Sequence, residues 1–520
     1  MVGKQHFDAR VRRINGATSH IDNDFGIPIT LVAREDVVVE ADGVTELLEF
    51  ASLQRTLEDI SSREKAGTID PFWGGSAGHI ESIVLTPDFH KGAGIPVGTV
   101  VDARGFVVPQ AVGNDVCCGM RLLTTDVDRH ELAPHMTALK QRLRAIFFQG
   151  QRDIPMSPRQ REAMIRDGLS GLHGSASDNA RTGLWKHYDP RAQLDDLDRV
   201  HFNGALPAKG TFAFDAYIQA SGRNDGRDIQ IGSVGGGNHF VELQAVDEMI
   251  DGGTARSFGL TKNAVTIMAH SGSVGLGHMV GGHFAGRAHE LYPKGVPHPK
   301  HGFYVLPARG PHAREAQVYL DAMRNAANFA FANRLFLGLM VVRALTETLG
   351  RPVSSRLVYD APHNLIWEPE GHGERYLHRK GATPASGPDA PGTPFSYTGH
   401  PVIIPGSMGD ASYVLAGSGR EDLLCSACHG AGRSLTRGRS THVDEAVYKR
   451  AIEKLHVVTP LDPDSPSVRC RRDILAKYHQ RMKEEAPYAY KPITPVVQSV
   501  EDAGIARRVV RLWPLVTVKG

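Results

Sequence analysis

Short apolar runs at Ile29–Val32, 37–39, 80–85, 99–101, 106–109, 265–268, 356–359 and Pro401–Ile404 are bounded by glycine, proline or charged residues, and they predict strands. Helical spacing is rarer. Leu47, Leu48, Ala51 and Leu57 form a stripe that predicts a helix over residues 44–57, residues 129–168 read as helical and basic, and an apolar pattern with Asn325, Asn328 and Asn333 set into it predicts a long helix over 316–349. The tail offers a short helix and then a terminal strand. The expected fold class is α+β, with residues 1–70 as N-terminal scaffold and 71–520 as one large domain whose sheets surround a deep cleft. Weak periodicity at 168–225 predicts a variable excursion, and the Pro/Gly-rich stretch 385–399 a surface insert.

Composition narrows the classes without choosing among enzymes. Hydrophobic residues make up 41% and charged residues 22% of 520, a globular balance. The most apolar run, 335–342, is too short to span a bilayer and is bracketed by Arg334 and Arg343, so no membrane partner is expected. The start lacks the apolar core of a secretory signal, and an odd set of five cysteines suits a reducing compartment; a cytoplasmic address is the expectation. The formal charge of +2 gives no field over the whole protein to attract nucleic acid, so an anionic partner must meet a local basic patch.

Chemistry enters where strands give way to glycine turns. Residues 232–243 read GSVGGGNHFVEL, a loop with room for a phosphate that runs into an amide, an imidazole and a carboxylate. Alone it reads equally well as a tight turn with a core histidine. Asp115 and Cys118 flank a bend, and His239, His270 and His363 each stand near a turn or strand end. Five such donors can build two metal positions if the thiolate bridges, leaving each ion open to substrate; manganese, cobalt and zinc all suit the set. His429, beside small residues, is a candidate nucleophile toward phosphorus, with capping or stacking as its plain alternative. Arg433 and Arg437, four apart, are read as sharing a helical face that clamps phosphates. The glycine turns at 235–237 and 405–409 are candidate nucleotide cradles.

The blocks PDFHKGAGIPVG, GNDVCCGMR, GGGNHFVEL, HSGS, HN, RKGA, IIPGSMGDASY, HGAGR and the terminal VKG stand in an order and at separations that resemble the RtcB family of RNA ligases, over about residues 80–520 and most weakly across 168–225. The resemblance implies a ligase that uses GTP and two Mn2+ ions to join an RNA 3′-phosphate or 2′,3′-cyclic phosphate end to a 5′-hydroxyl end. It implies one manganese on Asp115, Cys118 and His239, the other on Cys118, His270 and His363, and a guanylate carried covalently by His429. Positions matching the family's guanylate site are Asn238, His239, Glu242, His363, Asn364, Pro405, Gly406, Ser407, Met408, Ser412, Gly430, Ala431, Gly432 and Lys519.

Two departures qualify the match. Val274 stands where the family commonly has arginine after H-S-G-S, removing a cation expected to meet RNA phosphate, and Cys117 adds a second thiol expected to bring oxidation sensitivity. Val274 keeps open a paralogue that guanylylates itself or caps phosphate ends but seals poorly. A non-catalytic, metal-containing RNA-binding protein is the further alternative, opposed by the complete donor set and His429. A monomer is expected, and the need for an archease-like activator is left open.

Overall fold

Two twisted, mostly antiparallel sheets carry the chain in a computed structural model that describes residues 10–179, 182–220, 228–369, 373–453 and 455–520. The first sheet runs, in spatial order, Val11–Arg13, Thr18–Ile21, Ile29–Val32, His79–His90, Val97–Arg104, Arg375–Lys380 and Asn364–Trp367. The second runs Ser355–Pro362, Gly119–Asp128, Ala264–Ser271, Phe240–Met249, Ala506–Val518, Ser412–Gly417 and Pro401–Ile404, with Val457–Val458 parallel to the strand Ala506–Val518. The α+β expectation holds. Of the expected scaffold 1–70, the described part supplies the first three strands of the first sheet; residues 1–9 lie outside the described residues.

The long helix extends over Ala313–Leu349 and is apolar nearly all round because protein covers it on nearly every side. By length and composition it could cross a membrane, yet 89% of its most apolar window is buried within the protein. It ends at Gly350, which takes the left-handed conformation (φ 67°) that a helix C-cap favours. Its polar residues serve the site. Asn333 accepts from the Gly232 and Ser233 N–H groups (2.8 and 3.1 Å) and donates to Ser271 Oγ and the Gly272 carbonyl (both 3.1 Å), bracing two turns at once. Arg334, fully buried, bonds to Asp360 Oδ1 (2.9 Å from Nε) and donates to the Cys117 and Ser271 carbonyls (2.7 and 3.1 Å).

Several expectations need correction. The helix over 44–57 is two, Ala41–Ala51 and Leu53–Lys65, parted at Ser52, whose hydroxyl donates to the Glu49 carbonyl (2.6 Å). Residues 37–39 form no strand: Val37 is buried from a turn closed on the Arg34 carbonyl. The helical stretch 129–168 is broken into Arg129–Leu132, Met136–Phe148 and Pro158–Gly174, the last opened by a capping box at Ser157 and Gln160. The excursion carries short helices at Pro190–Asp195 and Asp215–Ile218, and its described part buries Leu184, Trp185 and Tyr217; residues 180–181 and 221–225 of it lie outside the described residues. The insert 385–399 is a loop, pinned by Phe395, which is fully buried against Tyr359.

Candidate metal centre and nucleotide cavity

Strand register, rather than proximity in sequence, assembles the donors. Gly119 pairs with Pro362 and with Ser271, Met120 pairs with His270, and His270 with Phe240. Cys118, His239, His270 and His363 therefore meet at one end of the second sheet. Cys118 Sγ lies 3.2 Å from His239 Nε2 and 3.1 Å from His270 Nε2, His239 Nε2 is 2.8 Å from Asp115 Oδ2, and His270 Nε2 is 3.3 Å from His363 Nε2. All five sequence candidates converge. The three atoms from Cys118, His239 and His270 lie within 4.8 Å of one another and all three residues are buried.

The spacing suits a cation. Ligand atoms about 2.3 Å (sulfur) and 2.1 Å (nitrogen) from one ion at right to tetrahedral angles stand roughly 3.1–3.6 Å apart, the separations found around Cys118. Burial, then the charge of Asp115, raises the Cys118 thiol well above its ordinary value, so a binding cation has to displace a proton. Among the described residues His239 Nδ1 and His363 Nδ1 have no hydrogen-bond partner, the outer support that metal ligands usually have. Donor identity and spacing carry the fit.

Two local features make the arrangement possible. Gly235 (φ 87°) lets the His239 ring fold back against its own loop, since a Cβ there would lie 2.5 Å from His239 Nδ1. Cys117 holds a left-handed conformation (φ 56°), fixed by its N–H on the Asn364 carbonyl (2.7 Å) and its carbonyl on Arg334, and so turns Cys118 into the cluster. The oxidation sensitivity expected of Cys117 has no support in this setting: the thiol is fully buried, and burial pushes it up to about 12.

His429 follows the short strand Ser426–Cys428 and stands beside the cluster, its ring centroid 4.5 Å from that of His363. Its Nδ1 is 2.6 Å from Asp88 Oδ2, which also accepts the His429 backbone N–H (3.3 Å), while Thr86 donates to Asp88 Oδ1 (2.5 Å). Asp88 is wholly buried. Burial alone would raise its carboxyl, but the hydrogen bond and charge of His429 and the Thr86 hydroxyl outweigh it and hold the group below its ordinary value. A carboxylate against Nδ1 keeps the proton there and leaves the Nε2 lone pair free. Gly432 makes the approach possible, because a Cβ at that position would meet the Asp88 carbonyl at 2.4 Å. Lys491, buried, donates to the Pro87 and Phe89 carbonyls (3.1 and 2.7 Å) and fixes the segment from the other side.

His429 and His270 form part of the wall of a 540 Å³ cavity, within the size range of small-molecule sites. Asn238, Glu242, the turn 405–408, residues 430–432 and Lys519 also line it. His239, His363, Asn364 and Ser412 do not. Asn364 is spent on the protein, donating to the Asp115 carbonyl (3.2 Å) and accepting the Gly381 N–H (2.8 Å). Ser412 Oγ accepts from Gln244 (2.8 Å) and the Gly406 N–H (3.3 Å), buttressing the 405–408 turn from behind. Glu242 accepts from Gln244 Nε2 (2.7 Å) and the Thr517 hydroxyl, and burial pushes its carboxyl up to about 7.

The shared helical face expected for Arg433 and Arg437 is absent: Arg433 bridges to Tyr490 in extended backbone, and the helix begins only at Arg437. What unites them is Glu485, a residue the sequence reading passed over. Its carboxylate lies 3.3 Å from Arg433, 3.6 Å from Arg437 and 3.3 Å from Lys519, and accepts from the Tyr490 hydroxyl (2.5 Å). Asp88, inside the block PDFHKGAGIPVG, was also missed as the partner of His429. Glu485 follows the helix Arg472–Glu484 beside Lys483 and Glu484, and nothing in that charged run sets it apart.

Fold and site together define an α+β protein with a metal-type donor cluster opening beside a nucleotide-sized cavity. Residues 76–520 match the family profile described as tRNA-splicing ligase RtcB. The chain belongs to the RtcB family. It is 34% identical to the tRNA-splicing ligase RtcB of Thermococcus kodakarensis, with 91% of this chain and 93% of that protein covered. It is 33% identical to the RNA-splicing ligase RtcB of Mycobacterium tuberculosis, covering 85% of this chain and 98% of the relative. The RNA-splicing ligase RtcB homolog 1 of Entamoeba histolytica is 32% identical, with coverages of 85% and 81%.

Proposed function

We propose that this protein is a GTP- and manganese-dependent RNA ligase that joins a 3′-phosphate or 2′,3′-cyclic phosphate end to a 5′-hydroxyl end. The observation that carries the reading is the Asp88–His429 pair, which orients the imidazole beside the donor cluster and on the wall of the cavity. Asp115, Cys118 and His239 would hold one ion and Cys118, His270 and His363 the other; when bound, the ions neutralise phosphate oxygens.

His429 Nε2 attacks the α-phosphorus of GTP; the N–P bond forms as the bond to the bridging oxygen breaks and pyrophosphate leaves. Asp88 keeps the Nδ1 proton and offsets the positive charge that develops on the imidazole. An oxygen of the RNA 3′-phosphate then takes the guanylate from His429, breaking the N–P bond. The 5′-hydroxyl attacks the activated phosphorus, loses its proton and expels GMP. Asn238 and the Ser407 and Met408 N–H groups are suited to receive the nucleotide, and Lys519 adds a cation.

The test is incubation with manganese, RNA ends and GTP labelled at the α-phosphate. Label on the protein and joined RNA are the expected result; a protein that takes no label overturns the reading. Val274 favours a second reading, a guanylylating paralogue with weak sealing, because it opens the helix Val274–Glu290 next to the cluster with a side chain that cannot pair with phosphate.

A further inference from the structure

Three cavities adjoin in series. The catalytic cavity shares Arg437, Glu485 and Lys519 with a second of 380 Å³, and the second shares Pro460 and Leu461 with a third of 400 Å³ that reaches Arg144. Tyr478 and Arg481, from the helix Arg472–Glu484, line the second cavity; on its other side Gly236 leaves open space and Gly237 lets the Arg437 guanidinium pack against the loop.

The segment that supplies Tyr478 and Arg481 differs in charge from the rest of the molecule. Residues 466–483 carry Arg469, Arg471, Arg472, Lys477, Arg481 and Lys483 against Asp473 alone, in a chain whose formal charge is only +2. Asp473 occupies Arg471 (2.9 Å) and Glu445 occupies Lys483 (2.8 Å). Among the described residues Arg469, Arg472, Lys477 and Arg481 have neither hydrogen bond nor ion pair, whereas the buried Arg161 and Arg334 are matched to Asp228 and Asp360. Of these cations Arg481 lines the second cavity, beside Arg437 and Lys519, which face Glu485; an unpaired arginine, an aromatic ring and a run of cavities ending at the reactive histidine fit a polyanion with flat bases.

We infer that the second cavity is the path of a single RNA strand to the catalytic cavity, with Arg481 meeting a phosphate one or two nucleotides from the reacting end and Tyr478 offering a surface for a base. This rests on the proposed function for the identity of the polymer. Arg437 and Lys519, shared by both cavities, stand where the strand passes between them, and Glu485 holds them in place until phosphate competes for them.

The experiment uses the full chain and a fluorescent single-stranded RNA ending in 3′-phosphate. Arg481→Gln is expected to weaken binding about tenfold and to lower the slope of log affinity against log salt by about 0.7, the loss of one single-strand phosphate contact. Arg481→Lys should keep the slope. KM for RNA should rise with kcat retained, and the rate of GTP labelling should not change. Since Arg481 is exposed and unpaired, the variants are expected to fold as the parent does. Unchanged affinity and slope in Arg481→Gln, or displacement of RNA by an equal concentration of an acidic peptide, overturns the inference. A parent that takes no GTP label yet binds RNA through Arg481 overturns the proposed ligase and leaves this path standing.

Discussion

Asp88 Oδ2 lies 2.6 Å from His429 Nδ1, joining the buried end of one sheet's strand to the imidazole on the cavity wall. An amide in place of that carboxylate can no longer hold the Nδ1 proton with a full charge. Asp88→Asn should therefore slow protein guanylylation by roughly 10³-fold or more while leaving the fold intact, the scale seen when a histidine-orienting aspartate is neutralised in hydrolases. Single-turnover labelling with GTP measures this, and His429→Ala should show no label at all. A label rate within threefold of the parent in Asp88→Asn would mean that the tautomer is set elsewhere.

The second prediction concerns Cys118, whose sulfur lies 3.2 Å from His239 Nε2 and 3.1 Å from His270 Nε2. Cys118→Ala should lose both manganese equivalents, whereas His363→Ala, at the far edge of the cluster, should lose mainly one. Elemental analysis after gel filtration in manganese decides the matter. Two equivalents retained in Cys118→Ala would rule out a bridging thiolate, and Cys117, turned toward Arg334, offers no replacement.

Val274 bears on the RNA steps. Arg433 is consumed by Glu485, Tyr490 and the Glu484 and Leu435 carbonyls, and Lys380 by the Ala93 and Ile95 carbonyls, so neither is free to take over a missing phosphate contact. Val274→Arg should improve sealing at subsaturating RNA about tenfold, with guanylylation unchanged. Equal sealing by parent and variant would assign the end phosphate to Arg437.

Glu242 gives the protein a pH dependence of its own. Its carboxyl is raised by burial from 4.5 to about 7, so between those values the folded chain keeps a proton that the unfolded chain has released. Stability from this group is complete below pH 4.5 and is lost as pH rises through 7. Glu242→Gln removes the loss and should gain roughly 3 kcal/mol on the parent between pH 5 and pH 8, without nucleotide. Denaturant unfolding at the two pH values tests it; parallel curves would place the carboxylate in a better solvated setting.

The donors were legible because each is a chemically distinctive residue beside a glycine turn, and their order along the chain carried the family resemblance. Nothing in the sequence around Cys118 showed that register would bring His270 and His363 to it, since pairing across strands depends on the whole sheet. The hub at Glu485 was illegible for a related reason: its three cations come from two distant segments, 433–437 and the C-terminal end, and a carboxylate in the charged run 483–485 looks like a solvated one. Arg433 and Arg437 misled because spacing of four implies a shared face only if the backbone is helical, and extended backbone at Arg433 cancels the inference.

The pairing of Gly119 with Pro362 joins the first quarter of the chain to its last third. Closing so long a loop is slow, and until it closes Cys118 and His363 are strangers in solution. A cation therefore has no preformed claw with which to start folding, unlike the small domains that collapse around zinc. Refolding from denaturant should proceed at the same rate with and without manganese, while the final yield rises with it, because the ion rewards only the molecules that have already zipped the sheet.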